Sequence, residues 1–561
     1  MDDVRSVLLI AALSNAVKHK SVPAAGAVMG AILGTHPELR SKAGEIKGLL
    51  GSVLEEVSSL SAEDREEKLK TIAPDQYASL FEKKEKKKIG LPDLPKAEGG
   101  VVMRFAPNPS GPLHLGHARA AFLNDEYIRR YGGKYILRIE DTDPKRVDPE
   151  AYDMVREDIA WMGLSIAETI FQSDRFSKYY EVGKELIQKG HAYVCRCDNE
   201  RFKDLKMHKT ACPCRSQSPE EALDLFDQML DGAFTEGEVG VRLKTDLSHP
   251  DPAMRDYPLF RVLTSTPHQR VDAIVYPLMN LSVAVDDHLL GMTHVIRGKD
   301  HIANTKRQEF IFRYMGWETP VYRHYGRMGI EGVVLSTSQM RAGIQSGEYS
   351  GWDDVRLGTL RAMARRGIQP QAVRNAVVEI GIGETDIQFS WENLYAKNKD
   401  IIDSQADRFF FVPDPVLVPV SGSDPVVAKA MRYPGDESRG YREIPFAGSL
   451  YLPRAELESG AAYIRLKDLF NIKVLHEGDT IRGEYAGDDL QEARSKKAPI
   501  IQWLPENHAN PCTLKTPDGD VSGVCEPEAA MTQDRIVQFE RVGFARIDTA
   551  GNPAVAYFTH R

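Results

Sequence analysis

The sequence predicts a multidomain protein with an α/β part and a β part, and three observations carry that reading. At 561 residues the chain is too long for a single hydrophobic core. Strand, helix and strand patterns follow one another from Val101 to Asp141, the mark of a βαβ unit and a parallel sheet. After Asp403 short β-rich runs are broken at close intervals by Gly, Pro and Asp, the texture of barrels or sandwiches.

Taken in order, residues 1–95 form a helical extension. "RSVLLIAALSNAVKH" and "ELRSKAGEIKGLLGSVLEEVSSL" carry apolar residues at spacings of three and four. The apolar run Val7 to Leu13 is too short to span a bilayer. It follows Asp2 and Asp3, where a secretory signal wants basic residues, so it reads as a core helix of a cytoplasmic protein with no membrane attachment. "EKKEKKKIGLPDLPKAEGG" closes the extension as a linker; its lysines read as a solvated helix end, with RNA contact as the second reading. Residues 96–175 give the first half of an α/β domain: a strand in "VVMRFAP", a helix from "HARAAF" closing on Gly132 and Gly133, and a strand in "KYILRIED". Residues 176–272 are an insertion that carries a cysteine cluster. The second half, 273–345, opens near "DAIVYPLMNL" and includes "MTHVIRG". A helical connector spans 346–403 and the β-rich region spans 404–561.

Hydrophobic and charged fractions of 42% and 27% are those of a soluble globular protein. A net charge of −9 argues against a uniformly basic nucleic-acid binder. Any RNA contact therefore uses a local basic face, with affinity that falls steeply with salt.

The most informative stretch is "RFAPNPSGPLHLGHARAAF", Arg104 to Phe122. A loop that leaves a strand and enters a helix presents unpaired backbone N–H groups, which attract phosphate. Gly116 lets a nucleotide base lie against the backbone. His114 and His117 share one helical face, where imidazole N–H groups donate to phosphate oxygens as charge shifts during displacement. Two histidines that merely cap a helix are the competing explanation. Cys195, Cys197, Cys212 and Cys214 form two C-x-C pairs separated by fourteen residues. Four thiolates suit tetrahedral Zn²⁺ in a closed structural site, with His208 able to replace one of them. Cys512 and Cys525 read as ordinary barrel residues.

"RFAPNPSGPLHLGH" followed by "LRIEDTD" resembles the glutamyl-tRNA synthetases, class I aminoacyl-tRNA synthetases with a "HIGH" motif, and most closely their archaeal-type branch. "VAVDDHLLGMTHVIRGKDH" and "VLSTS" resemble the same family, which covers the chain from Val101 onward. The resemblance implies a Rossmann-like catalytic domain, an insertion that binds the tRNA acceptor end, and C-terminal anticodon-binding β-barrels. It implies that ATP and L-glutamate give glutamyl-adenylate, with Mg²⁺ accompanying ATP, and that the glutamyl group then passes to tRNA(Glu) on a monomeric, cytoplasmic enzyme. Zinc occurs in the insertion of several members.

By the same resemblance His114, Gly116 and His117 belong to the catalytic ATP site. Pro107, Asn108, Pro109, Ser110 and Gly111 form one ATP loop, and Leu335, Ser336, Thr337 and Ser338 another. Arg104, Ala106, Glu140, Tyr276, Asn280 and Arg297 hold glutamate, Arg104 and Arg297 on the carboxylate side and Glu140 on the α-ammonium. Asp141, Thr142 and Asp143 shape a turn that Pro144 ends. "VLSTS" aligns with the family's "KMSKS" loop but has Val334 and Thr337 in the lysine positions. Arg341 and Lys299 are the candidates to supply the missing charge. Trp503, Tyr451, Arg454 and Arg546 are candidate anticodon contacts, with scaffold roles as the alternative.

The nearest rival is a glutaminyl-tRNA synthetase; "APNPSG" and Arg104 favour glutamate. A nucleotidyltransferase without RNA leaves the insertion and the β-rich end unexplained. A non-catalytic RNA-binding scaffold is opposed by intact histidines, Arg104 and Glu140.

Overall fold

The computed structural model describes residues 2–19, 21–35, 43–81, 90–478 and 480–561. The chain divides into two compact units, Met1–Ile89 and Gly90–Arg561. In the first, helices α1 (Asp2–His19), α2 (Ala25–Thr35), α3 (Ala43–Ser59), α4 (Ala62–Ile72) and α5 (Pro74–Phe81) surround Leu8, Leu13, Val28, Val53 and Leu69. Leu8, Ala12 and Ala16 recur every fourth residue of α1 and point into that core, so periodicity alone located it. Ser61 caps α4 by accepting the Asp64 N–H at 3.0 Å. The start of the second expected helix, 38–42, and the lysine-rich run at 82–89 lie outside the described residues.

The second unit opens with β1 (Val101–Phe105), α6 (Leu115–Tyr131), β2 (Gly133–Ile139), α7 (Ala151–Met162) and β3 (Glu168–Phe171). The three strands run parallel in the order β1-β2-β3, with Val101 opposite Gly133. Two glycines end α6, and Gly133 has φ +122°. A Cβ on Gly133 would collide with the Val101 carbonyl oxygen, so only glycine lets the chain turn back into register.

The insertion contains α8 (Phe176–Gln188), β4 (Ala192–Cys195), α9 (Asn199–Met207), α10 (Pro219–Leu230), β5 (Gly240–Leu243), β6 (Pro258–Val262) and β7 (Val275–Pro277). Its strands form an antiparallel sheet in sequence order over a core that includes Tyr179, Leu186, Phe226 and Phe260. Expected to open the second α/β half, the "VYP" run is instead the last strand of this sheet, with Tyr276 opposite Arg261. A short run buried on both faces carries no sign of which sheet it joins.

The second half supplies α11 (Met279–Leu289), β8 (His294–Gly298), α12 (Ile302–Met315) and β9 (Val321–Tyr325), with β8 and β9 parallel. β8 lies beside β1, where the Thr293 N–H donates to Val102 O at 3.0 Å. The two halves, far apart in sequence, thus meet at the strand that carries Arg104. Helices α13 (Thr337–Ser346), α14 (Leu360–Arg365), α15 (Pro370–Ile380) and α16 (Trp391–Ile402) follow. Arg374 of α15 pairs with Asp125 and Glu126 of α6, fixing the connector to the catalytic fold.

Two seven-stranded, barrel-like sheets complete the chain. One combines Pro415–Ser421, Ser449–Pro453, Tyr463–Leu466, Asn471–Glu477, Thr480–Tyr485, Ile500–Ile501 and Leu504–Pro505 around Val418, Ile464 and Trp503. The other combines Asp407–Phe409, Phe411–Pro413, Asn510–Thr516, Gly519–Cys525, Ile536–Phe539, Gly543–Thr549 and Ala554–His560 around Phe409, Phe411 and Val537. Cys512 and Cys525 sit in this second core, as expected of barrel residues. Two hairpins, Val426–Met431 with Tyr441–Phe446 and Asn510–Thr516 with Gly519–Cys525, add to this β-rich region.

Candidate active site

The loop between β1 and α6 is held at both ends. The Glu140 N–H donates to Pro107 O at 2.9 Å, and Asn108 Nδ2 donates to Glu140 O at 2.8 Å, tying the loop to the end of β2. His114 is the N-cap of α6: its Nδ1 accepts the Gly116 N–H at 3.1 Å, while His117 Nδ1 accepts the His114 N–H at 3.2 Å. The rings stack with centroids 3.8 Å apart. Burial lowers the His114 pKa to about 4, and burial together with the neighbouring His114 takes His117 well below its ordinary value. Both rings are therefore neutral, and because each Nδ1 is an acceptor, each proton sits on Nε2. Capping and donation are thus served by opposite edges of one ring. A Cβ on Gly116 would lie 2.9 Å from His114 Cε1, so the glycine makes room for this imidazole rather than for a base alone.

The second loop faces the first. Ser336 caps α13 through the Gln339 N–H, and its Oγ lies 3.0 Å from Ser338 Oγ. A Cβ on Gly111 would lie 2.6 Å from Thr337 Cγ2, which fixes how closely the two loops approach. Between them passes the segment Leu357 to Leu360. The Leu115 N–H donates to Gly358 O at 3.1 Å, the Leu360 N–H to Leu113 O at 2.9 Å, and the Gly358 N–H to Val334 O at 3.3 Å. Neither candidate for the missing lysine charge is free: Arg341 donates to Ser110 O at 2.6 Å and to Asp148 Oδ2 at 2.5 Å, and Lys299 pairs with Asp386 at 2.8 Å. Arg341 nevertheless touches the first loop directly.

Beside His117 a cavity of 240 Å³ is lined by Arg104, Ala106, Pro107, Asn108, Glu140 and Arg297, among others. Arg104 Nε donates to Asp287 Oδ1 at 3.3 Å, and Arg138, wholly buried, bridges Asp287 at 2.6 Å and Glu140 at 2.9 Å. Arg138 and Arg104 hold the Asp287 carboxyl below its ordinary range despite burial. Arg297 donates only to neutral acceptors, Thr305 Oγ1 at 2.5 Å and Gln308 Oε1 at 2.9 Å. Burial first, and the charge of Arg104 second, lower its pKa to about 10. Tyr276 and Asn280 do not line the cavity: Tyr276 is buried against Phe176, and its hydroxyl, like Asn280 Oδ1, has no hydrogen-bond partner. Asp141 accepts from Tyr152, from the Ser173 N–H and from the Ser173 hydroxyl, and Asp143 accepts from Arg261, so these acids brace the turn and face away from the cavity. Sequence reasoning missed Arg138 and Asp287. The signal was the acidic pair in "VAVDDHLL", on a helix otherwise apolar at that point. Its partner Asp286 is equally buried and takes Gln172, Arg175 and Tyr179.

The four cysteines of the insertion come together with all sulfurs within 4.8 Å of one another. Cys212 Sγ lies 3.5 Å from Cys195 Sγ and 3.3 Å from Cys197 Sγ. Tetrahedral zinc with bonds near 2.3 Å sets sulfurs about 3.8 Å apart, so the donor set fits the ion. His208 is exposed, bonded to Asp204 and apart from the cluster. Of the candidate RNA contacts, Trp503 is fully buried and donates to Lys467 O, which makes it scaffold. Arg454 pairs with Asp414 and Arg546 with Asp548 and Asp534, while Tyr451 sits in a strand beside Leu504.

A split parallel sheet, paired imidazoles at a strand-to-helix loop and two barrel-like sheets together define a class I aminoacyl-tRNA synthetase. The model of the class I tRNA synthetases (E and Q) matches here: the catalytic domain at 100–404 and anti-codon binding domains at 406–486 and 500–548, and the chain belongs to this family. It is 98% identical to the glutamate–tRNA ligase of Methanospirillum hungatei JF-1 over the whole of both chains. Identity is 61% with the glutamate–tRNA ligase of Methanoculleus marisnigri, again over both full lengths, and 50% with that of Methanocaldococcus jannaschii over 99% of each.

Proposed function

We infer that the chain is a glutamate–tRNA ligase. An oxygen of the glutamate α-carboxylate attacks the α-phosphorus of ATP, the bond to pyrophosphate breaks, and glutamyl-adenylate forms. A terminal ribose hydroxyl of tRNA then attacks the acyl carbon, and AMP leaves. The observation that carries this reading is the charge in and directly behind the cavity beside the paired histidines: Arg104, Arg297 and Glu140 line it, and the buried pair Arg138 and Asp287 backs it, three guanidiniums against two carboxylates. An amino acid with one extra negative charge balances that set; its amide analogue does not.

In this reading the Nε2–H groups of His114 and His117 donate to the phosphates as charge moves onto the leaving pyrophosphate. Arg104 and Arg297 take the glutamate carboxylates, with Glu140 on the ammonium and Ala106 against the ligand. Tyr276 and Asn280, which the family resemblance also assigns to glutamate, lie outside the cavity lining and make no contact with the substrate in this reading. Pro107 to Gly111 and Leu335 to Ser338 enclose the triphosphate, Ser336 and Ser338 as donors. Mg²⁺ accompanying ATP would supply the neutralising charge that Val334 and Thr337 do not. Cys195, Cys197, Cys212 and Cys214 would hold Zn²⁺, which fixes the insertion where the acceptor end binds. The enzyme works as a monomer in the cytoplasm, and no helix among the described residues is long and apolar enough to cross a membrane.

Charging of tRNA with labelled glutamate or glutamine, in ATP and Mg²⁺, tests the function. Glutamate is expected to be attached and glutamine not; incorporation of glutamine alone overturns the reading. Metal analysis of protein purified without chelator is expected to find close to one zinc per chain, and less than half an equivalent counts against the cluster as a zinc site.

A further inference from the structure

The guanidiniums of the cavity are not equivalent. Arg104 and Arg138 lie against Asp287, and Arg138 also takes Glu140, so both have a carboxylate partner within the protein. Arg297 is just as buried, yet no carboxylate of the described residues pairs with it. Its Nη2 is fixed by Thr305 Oγ1 and Gln308 Oε1, one helical turn apart on α12. Its Nε–H meets no acceptor among the described residues, and its guanidinium carbon lies 4.9 Å from the Tyr322 ring centroid. Thr305 is itself anchored, by His301 O at 3.1 Å and His324 Nε2 at 2.8 Å. Gln308 is fully buried, and its Nε2 has no hydrogen-bond partner among the described residues, so the hydrogen bond that orients its amide is the one to Arg297.

A buried arginine left without a counter-charge is costly, and a protein that wanted only stability would place a carboxylate at 308. An amide there fixes the guanidinium in space without neutralising it. We propose that Gln308, seconded by Thr305, is a specificity-determining positioning residue: by offering Arg297 an uncharged acceptor it keeps one positive charge unspent for the side-chain carboxylate of the substrate. Selection of the acid over the amide then resides in α12 as much as in Arg297. This rests on the reading of the chain as a glutamate ligase.

Two nearly isosteric variants separate charge from shape. Q308E keeps the acceptor and adds the counter-charge. Its kcat/KM for glutamate is expected to fall about 100-fold or more, carried by the KM for glutamate, with the KM for ATP unmoved and the preference for glutamate over glutamine reduced at least about tenfold. Q308M keeps neutrality and removes the acceptor. Its KM for glutamate is expected to rise about tenfold while the preference persists, because the charge on Arg297 remains free. A Q308E enzyme with wild-type KM and preference overturns the proposal, as does a Q308M enzyme that loses the preference as fully as Q308E. Thermal melting verifies the fold, and if Q308E does not fold, T305V takes its place: it is expected to raise the KM for glutamate with the KM for ATP unmoved, and an unchanged KM for glutamate overturns the idea. A wild-type chain that charges tRNA with neither amino acid sinks the ligase reading; one that charges glutamate while these variants match it sinks only this inference.

Discussion

Asp158 shows how much a single buried carboxyl contributes outside the chemistry. Its Oδ2 accepts the Leu113 N–H at 2.7 Å, one residue before the paired histidines, and its other neighbour, Arg361, stands 3.6 Å away. Burial pushes its pKa up to about 7. Because the folded value lies above the unfolded value of about 4, the folded state binds the proton more tightly, and stability falls as pH rises between them. Asp158→Asn keeps an acceptor for Leu113 and removes the buried charge. Thermal melting is expected to show this variant more stable than wild type at pH 8, with the difference vanishing near pH 4; a lower melting temperature at pH 8 contradicts the sign. Asp287 is the opposite case, ionised and paired. Asp287→Ala strands Arg138 without its best partner, and denaturant unfolding is expected to register a loss of about 3–5 kcal/mol. The strand-to-helix junction that brings His114 and His117 together, with Arg104 on the strand before it, was legible in the sequence. Arg138 and Asp287 were not, because their pairing joins β2 to α11 across 149 residues of chain; Gln308 lies only 11 residues from Arg297, but nothing in the order of the chain says that this strand residue and this helix residue face each other.

At the level of elements, periodicity and turn residues located the α6 helix, the strands on either side of it and most barrel strands. What they did not give was partnership. The "VYP" strand joins the insertion's sheet, since a run buried on both faces looks the same in either sheet. The turn from α6 into β2 was marked by two glycines that differ in kind. Gly133 cannot carry a Cβ without striking Val101 O, whereas Gly132, at φ +71°, has open space around it. Gly133→Ala is therefore expected to cost at least about 2 kcal/mol, from collision as well as backbone strain, and Gly132→Ala about 1 kcal/mol, from the backbone alone. Chemical denaturation of the two variants checks the order, and equal losses contradict it.

The whole molecule consists of a helical unit, Met1–Ile89, and a second unit that holds every residue assigned to the chemistry. A chain of residues 90–561 is expected to fold and to retain tRNA charging with glutamate within about threefold of the full chain. Loss of more than tenfold would mean that the first unit takes part in the reaction. Within the second unit the route from one end to the other is short. The polypeptide that leaves the catalytic fold for the barrels passes first between the loops at 107–114 and 334–338, where Gly358 and Leu360 share hydrogen bonds with Leu115, Leu113 and Val334. A few residues on, Arg365 grips Asp548 and Arg366 grips the Thr559 carbonyl in the last sheet. The same eight or so residues thus brace the strand-to-helix loop of the paired histidines at one end and hold the last sheet at the other. Tilting that sheet by a small angle would be felt at the imidazoles through covalent bonds and a handful of hydrogen bonds, with no moving part in between.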